Sequence, residues 1–585
     1  MLMKKVLYSL MAILMVAIAC GKNDPVNPDP DPQPQPDPQP EAAALTLVTP
    51  AIVDLEAESG IYTIKFTTNK DWTAEVANAE QGSVVLGAAS GKSGENIELK
   101  VTYQNVSEEE LGRMFNVVIK AGDKNADVQF FQGLVFVCED EEAVLGVSGG
   151  KAEYTVLTNL EYTVTKYDGA DQSFPWAPVT ITEESHKIKL VFDVAANNAY
   201  DSRYAYVKFT IPAIQVDVLD DETGEPTGET EDAVARLYVY QEGHSSIAWA
   251  QSLPADFDVA NSDEPIHDAT VSVAKFNDMI LVSDAVKVRA FDPATGAAAN
   301  FAFPEDLPVQ SITNDDAGNL LVATLIPYGG VGSVYAIKAS DTQMANPVRL
   351  IPWVNEAWSG SRGADKVAAK GDVFGNGIVT MIYGGVGSYG GLTYCLAWEI
   401  KNGAADVFDY NEWNKSSHRI NNDAWFTSPE LGDDLWLSNR AAFVPAGPAA
   451  SDGFFYSGYD GLYNLYYYDG VEWVAVLPEL GNWAYAPNGM ATTTWNGKKI
   501  LAVSVMAYFP EWGMPSALCI LDVTNPKAPV VLSAAEYYNP SEEYVTGAQE
   551  SSTTDVLLEV DGNDLYATVV DSAWGILMRV KYPKL

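Results

Sequence analysis

The sequence contains few basic residues and little histidine. Its 35 Lys and Arg stand against 79 Asp and Glu, which gives a formal net charge of −44 at pH 7. A field of this sign repels phosphate backbones and anionic head groups, so we expect no nucleic-acid partner. Only four histidines occur, and no two of them have the spacing of metal ligands. We therefore predict no metal site and no cofactor.

Cysteine is also scarce. The chain has four, at positions 20, 138, 395 and 519, with no CxxC pair among them. This spacing indicates neither a disulfide framework nor a zinc site. Cys395 and Cys519 lie within apolar, strand-like runs, and we expect their thiols to be buried and inert.

Familiar catalytic motifs are missing as well. The sequence contains no HExxH motif and no EF-hand loop. The string GVGSYG at 385–390 matches GxGxxG, but it leads into the strand-like run LTYCLAWEI, so the helix N-terminus that a pyrophosphate needs is lacking. The string YGGVGS occurs at both 328–333 and 383–388, which indicates a repeated hairpin loop. We predict no catalytic residue, although the paired carboxylates of a glycosidase follow no spacing rule.

The N-terminus has the features of a bacterial lipoprotein signal. Residues 1–19 combine a basic start at Lys4 and Lys5 with an apolar run, and small or apolar residues precede Cys20. The run is too short to indicate a spanning helix, and no stretch downstream has eighteen unbroken apolar residues. We predict that residues 1–19 are removed, that Cys20 is lipidated and that this anchor is the protein's one attachment to a membrane.

The segment that follows has the composition of a tether. Residues 20–44 are rich in proline and aspartate, which favours an extended chain of about 3.1 Å per residue. The acidic residues close behind Cys20 resemble the surface-export signals of Bacteroidetes lipoproteins. That resemblance implies a location at the outer membrane, facing the cell exterior.

Strand patterns fill the chain from Leu45 onward, and the first two hundred residues repeat. Tyr62, Ile64 and Phe66 alternate with polar residues, which is typical of a half-buried strand. The string TNKDWT at 68–73 corresponds to TNLEYT at 158–163, and the copies end in VQFFQG and LYVYQEG. We predict two tandem immunoglobulin-like β-sandwiches at 45–133 and 134–244.

These two segments resemble BACON domains, the Bacteroidetes-associated carbohydrate-binding, often N-terminal, family. The resemblance rests on the strand followed by Trp72 or Tyr162 and on the terminal strand with its Gln-Gly ending. It implies that the two sandwiches serve as spacers. The family name alone does not indicate that these copies bind sugar.

A different repeat occupies residues 245–585. A turn of Gly, Asn or Asp followed by an apolar strand recurs in FNDMILVS, DDAGNLLVA, DVFGNGIVT, SDGFFYSG, WNGKKILAV and VDGNDLYAT. The irregular spacing fits four-stranded blades with uneven loops and predicts a six- or seven-bladed β-propeller. The string SSIAWAQSL at 245–253 is expected to complete the last blade. The predicted fold class is therefore all-β throughout.

Aromatic residues are the best indication of a binding site. Twelve of the fourteen tryptophans lie in residues 245–585, many of them in predicted connections that would emerge on one face of a propeller. Exposed rings beside polar side chains are typical of sugar binding. Trp398, Trp436 and Trp495 lie in predicted strands and are expected to pack internally. The predicted ligand-binding residues are Trp353, Trp358, Arg362, Trp413, Trp425, Trp483, Tyr485 and Trp512.

These observations favour a non-catalytic surface lipoprotein. We expect it to bind an oligosaccharide or polysaccharide through its propeller and to assist an outer-membrane importer of the SusCD type, whose subunits would be its protein partners. Two alternatives remain open. One is an accessory lipoprotein that binds a protein or peptide. The other is a propeller glycoside hydrolase or lyase, which predicts a cluster of carboxylates at the ring axis.

Overall fold

The computed structural model describes residues 41–107, 110–138, 140–167, 175–219, 226–254, 271–284, 287–324, 331–354, 361–385, 394–406, 418–420, 441–458, 464–478, 480, 485–507, 509–539 and 553–585. The regular elements in these ranges are β-strands and two single-turn 3-10 helices, Ala450–Asp452 and Pro510–Trp512, so the all-β prediction is confirmed. None of the helical segments in the described ranges has the length and hydropathy needed to cross a bilayer. The chain divides into two compact units between Val135 and Phe136.

The first unit contains two packed sheets, which we call the first sandwich. Its strand orders are β1-β3-β7-β5 and β2-β9-β8-β4-β6. Ile64, Phe66 and Phe115 are fully buried between the sheets, as the period-two pattern predicts. The strands are β1 (Leu45–Leu47), β2 (Ile52–Leu55), β3 (Gly60–Thr68), β4 (Trp72–Ala77), β5 (Val84–Leu86), β6 (Ser90–Gly91), β7 (Gly94–Tyr103), β8 (Gly112–Ala121) and β9 (Lys124–Gly133).

The second unit begins with another pair of packed sheets, the second sandwich. Its strand orders are β10-β12-β15-β14 and β11-β17-β16-β13. In both sandwiches a short strand near the start pairs in parallel with the last strand, β2 with β9 and β11 with β17, so the sequence repeat is also a structural repeat. The strands are β10 (Phe136–Cys138), β11 (Glu142–Leu145), β12 (Gly150–Thr158), β13 (Thr163–Tyr167), β14 (Val179–Glu184), β15 (Lys187–Val194), β16 (Arg203–Leu219) and β17 (Pro226–Gln241).

The shared Gln-Gly ending has a structural role in each sandwich. The Gln132 amide nitrogen donates to the carbonyls of Ala57 and Gln104, at 3.0 and 2.8 Å, while its oxygen accepts from Arg113 Nε at 2.9 Å. Gln241 is the counterpart of Gln132 and accepts from Arg203 Nε at 2.8 Å. Both glutamines are fully buried. A buried amide that satisfies loop carbonyls explains why both copies end alike.

Six further sheets follow, which we call the six-sheet region. The first three are β19 (Ser272–Phe276) to β22, β23 (Ser311–Asn314) to β26, and β27 (Ser361–Gly371) to β30. Their other strands are β20 (Met279–Ser283), β21 (Val288–Phe291), β22 (Ala298–Ala299), β24 (Leu320–Ala323), β25 (Val331–Ile337), β26 (Val348–Val354), β28 (Gly377–Gly385), β29 (Tyr394–Lys401) and β30 (Ala404–Ala405), with β31 (His418–Ile420) also paired to β29.

The remaining three sheets begin with β32 (Ala441–Pro445), β36 (Tyr485–Trp495) and β40 (Thr554–Asp561). Strand β18 (Ser246–Ser252) pairs with β42, so the last sheet contains strands from both ends of the region, as SSIAWAQSL predicted. The other strands are β33 (Phe454–Gly458), β34 (Leu465–Tyr468), β35 (Trp473–Leu477), β37 (Lys498–Ala507), β38 (Ser516–Asp522), β39 (Val530–Tyr537), β41 (Asp564–Asp571) and β42 (Ile576–Tyr582).

The first strands of these sheets contact one another in order. Each of β19, β23, β27, β32, β36 and β40 contacts the next, and β40 contacts β19. The six recurring strings of the sequence lie at the connection between the first and second strand of each sheet. Asn277 and Asp278 have φ values of 50° and 58°, as a type I′ hairpin turn requires. The turn residues in the repeat are thus explained by backbone geometry.

The second sandwich packs directly against the six-sheet region. The Tyr200 ring makes an edge contact with Tyr582 at 5.5 Å and lies 6.0 Å from the Trp495 ring, while its hydroxyl donates to the carbonyl of Pro583 at 3.1 Å. Asp201 accepts hydrogen bonds from Ser533 Oγ and the Ala534 amide. Packed side chains, and not chain connectivity alone, therefore join the second sandwich to its neighbour.

Candidate functional site

The six-sheet region has two ends. In each antiparallel sheet the first-to-second and third-to-fourth connections lie at one end, which we call the turn end. The second-to-third connection and the chain leading to the next sheet lie at the other, the exit end. Neighbouring first strands run in the same direction. Hydrogen bonds show this between the first and sixth sheets, where the amides of Val271 and Val273 donate to the side chains of Thr553 and Asp555. The exit ends of these sheets therefore lie together.

Four of the eight predicted binding residues, all of them tryptophans, fall outside the described residues. Cys20, in the predicted signal and tether, also lies outside the described ranges. The four tryptophans are Trp358, Trp413, Trp425 and Trp483.

Three of the predicted residues lie in strands at the exit end. Trp353 is the penultimate residue of β26 and Arg362 the second residue of β27, so the prediction that Trp353 lies in a connection is wrong. The structure describes only the backbone of these two residues. Tyr485 is the first residue of β36 and is half-buried. Burial and the nearby carboxylate of Glu536 raise the pKa of the Tyr485 hydroxyl.

Trp512 is the predicted site residue that the structure describes most fully. It ends the 3-10 helix Pro510–Trp512 in the second-to-third connection of the fifth sheet, and it is 61% exposed. Its ring stacks on Phe509 with 4.2 Å between ring centroids and 8° between planes. Gly513 follows with φ of 73° and its amide donates to the carbonyl of Pro510, which closes the turn. The result is an exposed aromatic platform held by a short, closed turn.

The expectations for internal packing are confirmed where the structure describes the residues. Trp398 and Trp495 are buried, and the indole of Trp495 donates to the carbonyl of Asn563. Cys519 is a buried thiol, and burial raises its pKa to about 11. Trp436 and the side chain of Cys395 lie outside the described residues.

A cavity of about 210 Å³ lies where the six first strands meet. Its charged groups include Lys366 on β27 and Asp555 on β40. Asp555 accepts from the Val273 amide at 2.9 Å. Burial raises the pKa of Asp555 to about 6, and the charge of Lys366 opposes this shift.

Two lysines of β27 cross this cavity. Lys366 Nζ donates to the carbonyls of Asn488 and Thr554, on the first strands of the fifth and sixth sheets. Nearer the turn end, Lys370 Nζ bonds to Asp316 and to the carbonyl of Thr492, both at 2.6 Å. These contacts join strands on opposite sides of the cavity.

Three aspartates and two lysines of the described residues line this cavity. Within the described ranges, no group of three or more His, Cys, Asp or Glu side chains is placed to hold a metal ion. Besides Asp315 and Asp316, the cavity contains the buried carboxylate of Asp555 and the charge of Lys366 that acts on it. Sequence reasoning missed this pair because the two residues lie in distant repeats, and no local spacing connects them.

Most of the six-sheet region matches the model of one protein family. A family model described as a domain of unknown function (DUF8500) matches residues 291–578, from the end of β21 into β42. No curated protein sequence matches the chain.

Several solved structures are similar to parts of the chain. A DUF4623 family protein from Bacteroides eggerthii DSM 20697 has 11% identity over 80% of this chain and 96% of its own, with a TM-score of 0.32. A Bacteroides ovatus GH5 xyloglucanase in complex with an XXXG heptasaccharide has 15% identity over 18% of this chain, with a TM-score of 0.14; the match covers 22% of the xyloglucanase. The titin Ig tandem domains A164-A165 have 11% identity over 34% of this chain and 100% of their own, with a TM-score of 0.15.

Proposed function

We propose that residues 245–585 form a six-bladed β-propeller. The proposal is supported by six successive antiparallel sheets of mainly four strands, by contacts between their first strands in cyclic order, and by the pairing of β18 with β42. Joining strands from both ends of a region into one sheet holds a ring closed. The described residues contain six such sheets, which favours six blades over seven.

The propeller binds glycan at its exit end. The observation that carries this proposal is the exposed Trp512 ring stacked on Phe509 in a second-to-third connection. An exposed ring on a closed turn can stack on the apolar face of a sugar without first becoming ordered. Two other predicted aromatic residues, Trp353 near the end of β26 and Tyr485 at the start of β36, lie at the same end of their sheets.

The remaining segments present this domain at the cell surface. Cys20 carries the lipid anchor, the proline-rich tether extends the chain, and the two BACON-like, immunoglobulin-like sandwiches lie between the tether and the propeller. The protein is then an outer-membrane lipoprotein that faces the exterior and passes captured oligosaccharide to a SusCD-type importer. This part of the proposal rests on the sequence features of residues 1–44 and on the repeated sandwiches.

Titration of the full chain against a panel of oligosaccharides and polysaccharides tests the glycan site. We expect Trp512→Ala to weaken binding about tenfold, because it removes the exposed half of the stacked pair. The matched control is Val471→Ala, a change at a residue that is 85% exposed at the turn end of the fourth sheet and should leave affinity unchanged.

Two results would contradict the proposal. One is the absence of binding across the panel, and the other is equal affinity of the wild type and Trp512→Ala for every glycan that binds. Co-purification with importer subunits in the absence of any glycan binding would favour the protein-binding alternative instead.

A further inference from the structure

The exit end of the fifth sheet carries a second exposed aromatic ring besides Trp512. Tyr538 directly follows β39, the fourth strand of that sheet, and is 51% exposed. Its ring makes an edge contact with Trp574, with 5.8 Å between ring centroids. Trp574 is buried and lies in the second-to-third connection of the sixth sheet. Tyr538 therefore packs on a buried ring while about half of its own surface stays accessible.

The residues on both sides of Tyr538 are bonded to that same connection of the sixth sheet. The Tyr537 hydroxyl donates to the carboxylate of Asp571 at 3.0 Å, and the Asn539 amide nitrogen donates to the carbonyl of Trp574 at 2.9 Å. Tyr537, Asn539 and Asp571 are all buried. A side chain held between two buried anchors has little conformational freedom left to lose when a ligand binds.

Trp574 also connects Tyr538 to the segment that carries Trp512. The indole nitrogen of Trp574 donates to the carbonyl of Met514 at 3.1 Å, and Met514 is two residues after Trp512. One buried side chain thus contacts the ring of Tyr538 and the turn of Trp512. The two exposed rings are therefore held by a shared support at the same end of the sheet.

Polar groups accompany the rings. Burial raises the pKa of Tyr485, and the carboxylate of Glu536 and then Tyr538 add to the shift. Electrostatic effects of this kind weaken with distance, so Tyr485, Glu536 and Tyr538 lie near one another. Glu536 is exposed on β39. A carboxylate beside an exposed ring can accept hydrogen bonds from the hydroxyls of a sugar stacked on that ring.

These groups extend across the whole width of the fifth sheet. Its strand order is β36-β37-β38-β39. Tyr485 begins the first strand, Trp512 lies between the second and third, and Tyr538 follows the fourth. Neighbouring strands are about 4.8 Å apart, so the first and fourth strands are separated by about 14 Å. One sugar ring is smaller than this width, whereas a short chain of sugars can reach across it.

We propose that the exit end of the fifth sheet binds a linear glycan of at least about three sugar residues. Tyr538 is a second stacking residue beside Trp512, and Glu536 accepts hydrogen bonds from sugar hydroxyls. This inference rests on the glycan site proposed above, and it adds the length of ligand that the site requires. Free monosaccharides can cover only one of the two rings and therefore bind weakly.

Titration calorimetry of the full chain with cello-, xylo-, malto- and laminari-oligosaccharides of one to six residues tests the proposal. In any series that binds, we expect affinity to rise with chain length up to about three residues. Tyr538→Ala should weaken tetrasaccharide binding about tenfold and remove most of the gain between disaccharide and tetrasaccharide. Glu536→Gln should cause a smaller loss, about threefold.

Two further variants serve as controls. Tyr538→Phe keeps the ring and should stay close to the wild type for every chain length. Tyr204→Ala removes a tyrosine of similar exposure, 45%, from the second sandwich and should leave affinity unchanged. Thermal melting of each variant checks that the packing around Trp574 and the rest of the fold are retained.

Three results would overturn the inference: tetrasaccharides that bind no more tightly than monosaccharides, equal affinity of the wild type and Tyr538→Ala at every chain length, or no binding in any series. The second result, combined with weaker binding by Trp512→Ala, would keep the exit-end glycan site and remove only the role of Tyr538. The third would contradict both proposals.

Discussion

The two sandwiches share their interior but differ on their surfaces. Each has a short parallel strand at the start, a buried glutamine bonded to an arginine at the end, and an aromatic residue at the same place after the repeated Thr-Asn pair. At outward positions where the first sandwich has Asn116 and Gln129, the second has Tyr206 and Tyr238, and only the second belongs to the same compact unit as the six-sheet region. The comparison indicates that the inward positions preserve the fold while the outward positions differ between the copies.

The largest effect is expected at the aromatic position that the copies share. Trp72 is buried and makes an edge contact with Phe66 at 5.2 Å, whereas Tyr162 is only half-buried against Phe209. Trp72→Ala should therefore destabilise the first sandwich by about 4 kcal/mol, and Tyr162→Ala should destabilise the second by about half as much. Urea unfolding of each variant measures both values. Equal losses would show that the two positions are not packed differently.

The next effect concerns the pH dependence of the second unit. Burial raises the pKa of Asp555 from 3.8 to about 6, so between these values the folded protein binds a proton that the unfolded chain does not. The protonated Asp555 carboxyl makes its full contribution to stability at low pH. About 3 kcal/mol of that contribution is lost as the pH rises from about 4 to about 6.

Asp555→Asn isolates this contribution, since its amide oxygen can still accept from the Val273 amide. In urea unfolding at a series of pH values, the stability of the wild type should fall relative to the variant between about pH 4 and 6. The change should appear in the transition of the second sandwich and six-sheet region. Parallel curves for the two proteins would rule out the raised pKa.

The smallest effect is expected from Tyr200→Ala, which should uncouple the unfolding of the second sandwich from that of the six-sheet region. Tyr200 packs on Trp495 and Tyr582, and Tyr200→Ala should remove about 2 kcal/mol of stability from the second unit. It should also broaden that unit's melting transition in calorimetry, because the sandwich and the six-sheet region would no longer unfold together. A change at an outward position, Tyr204→Phe, is the control. A sharp transition of unchanged midpoint would show that this contact does not couple the two.

Much of the fold could be predicted from the sequence because its signals are local. The period-two strands, the repeated TNKDWT and TNLEYT strings, and the Asn, Asp and Gly turns each reflect backbone geometry within a few residues. The pairing of β18 with β42 agrees with the expectation that the strand-like string SSIAWAQSL completes the last sheet. The alternation of tyrosine with buried residues in YAYVKF and LYVY is a local signal of the same kind for outward-facing tyrosines.

The candidate sites were harder to predict because their residues are distant in the chain. The position of Trp353 within β26 depends on where the strand ends, which the local pattern does not specify. Lys366 and Asp555 come together only because the first strands of the third and sixth sheets share one cavity. Their individual sequence environments contain no sign that the two residues line the same cavity.

The sequence by itself determined that the chain is all-β, that its first part is a repeated sandwich and that its second part is built from recurring turn-plus-strand strings. These properties follow from side-chain alternation and turn chemistry, which act over a few residues. Only the tertiary structure decided that two lysines of β27 cross the cavity between the first strands, that Tyr200 packs the second sandwich against the six-sheet region, and that β16 and β17 place four tyrosines side by side, namely Tyr204, Tyr206, Tyr238 and Tyr240. Those contacts depend on strand pairing and sheet packing, which bring together residues that no local rule connects.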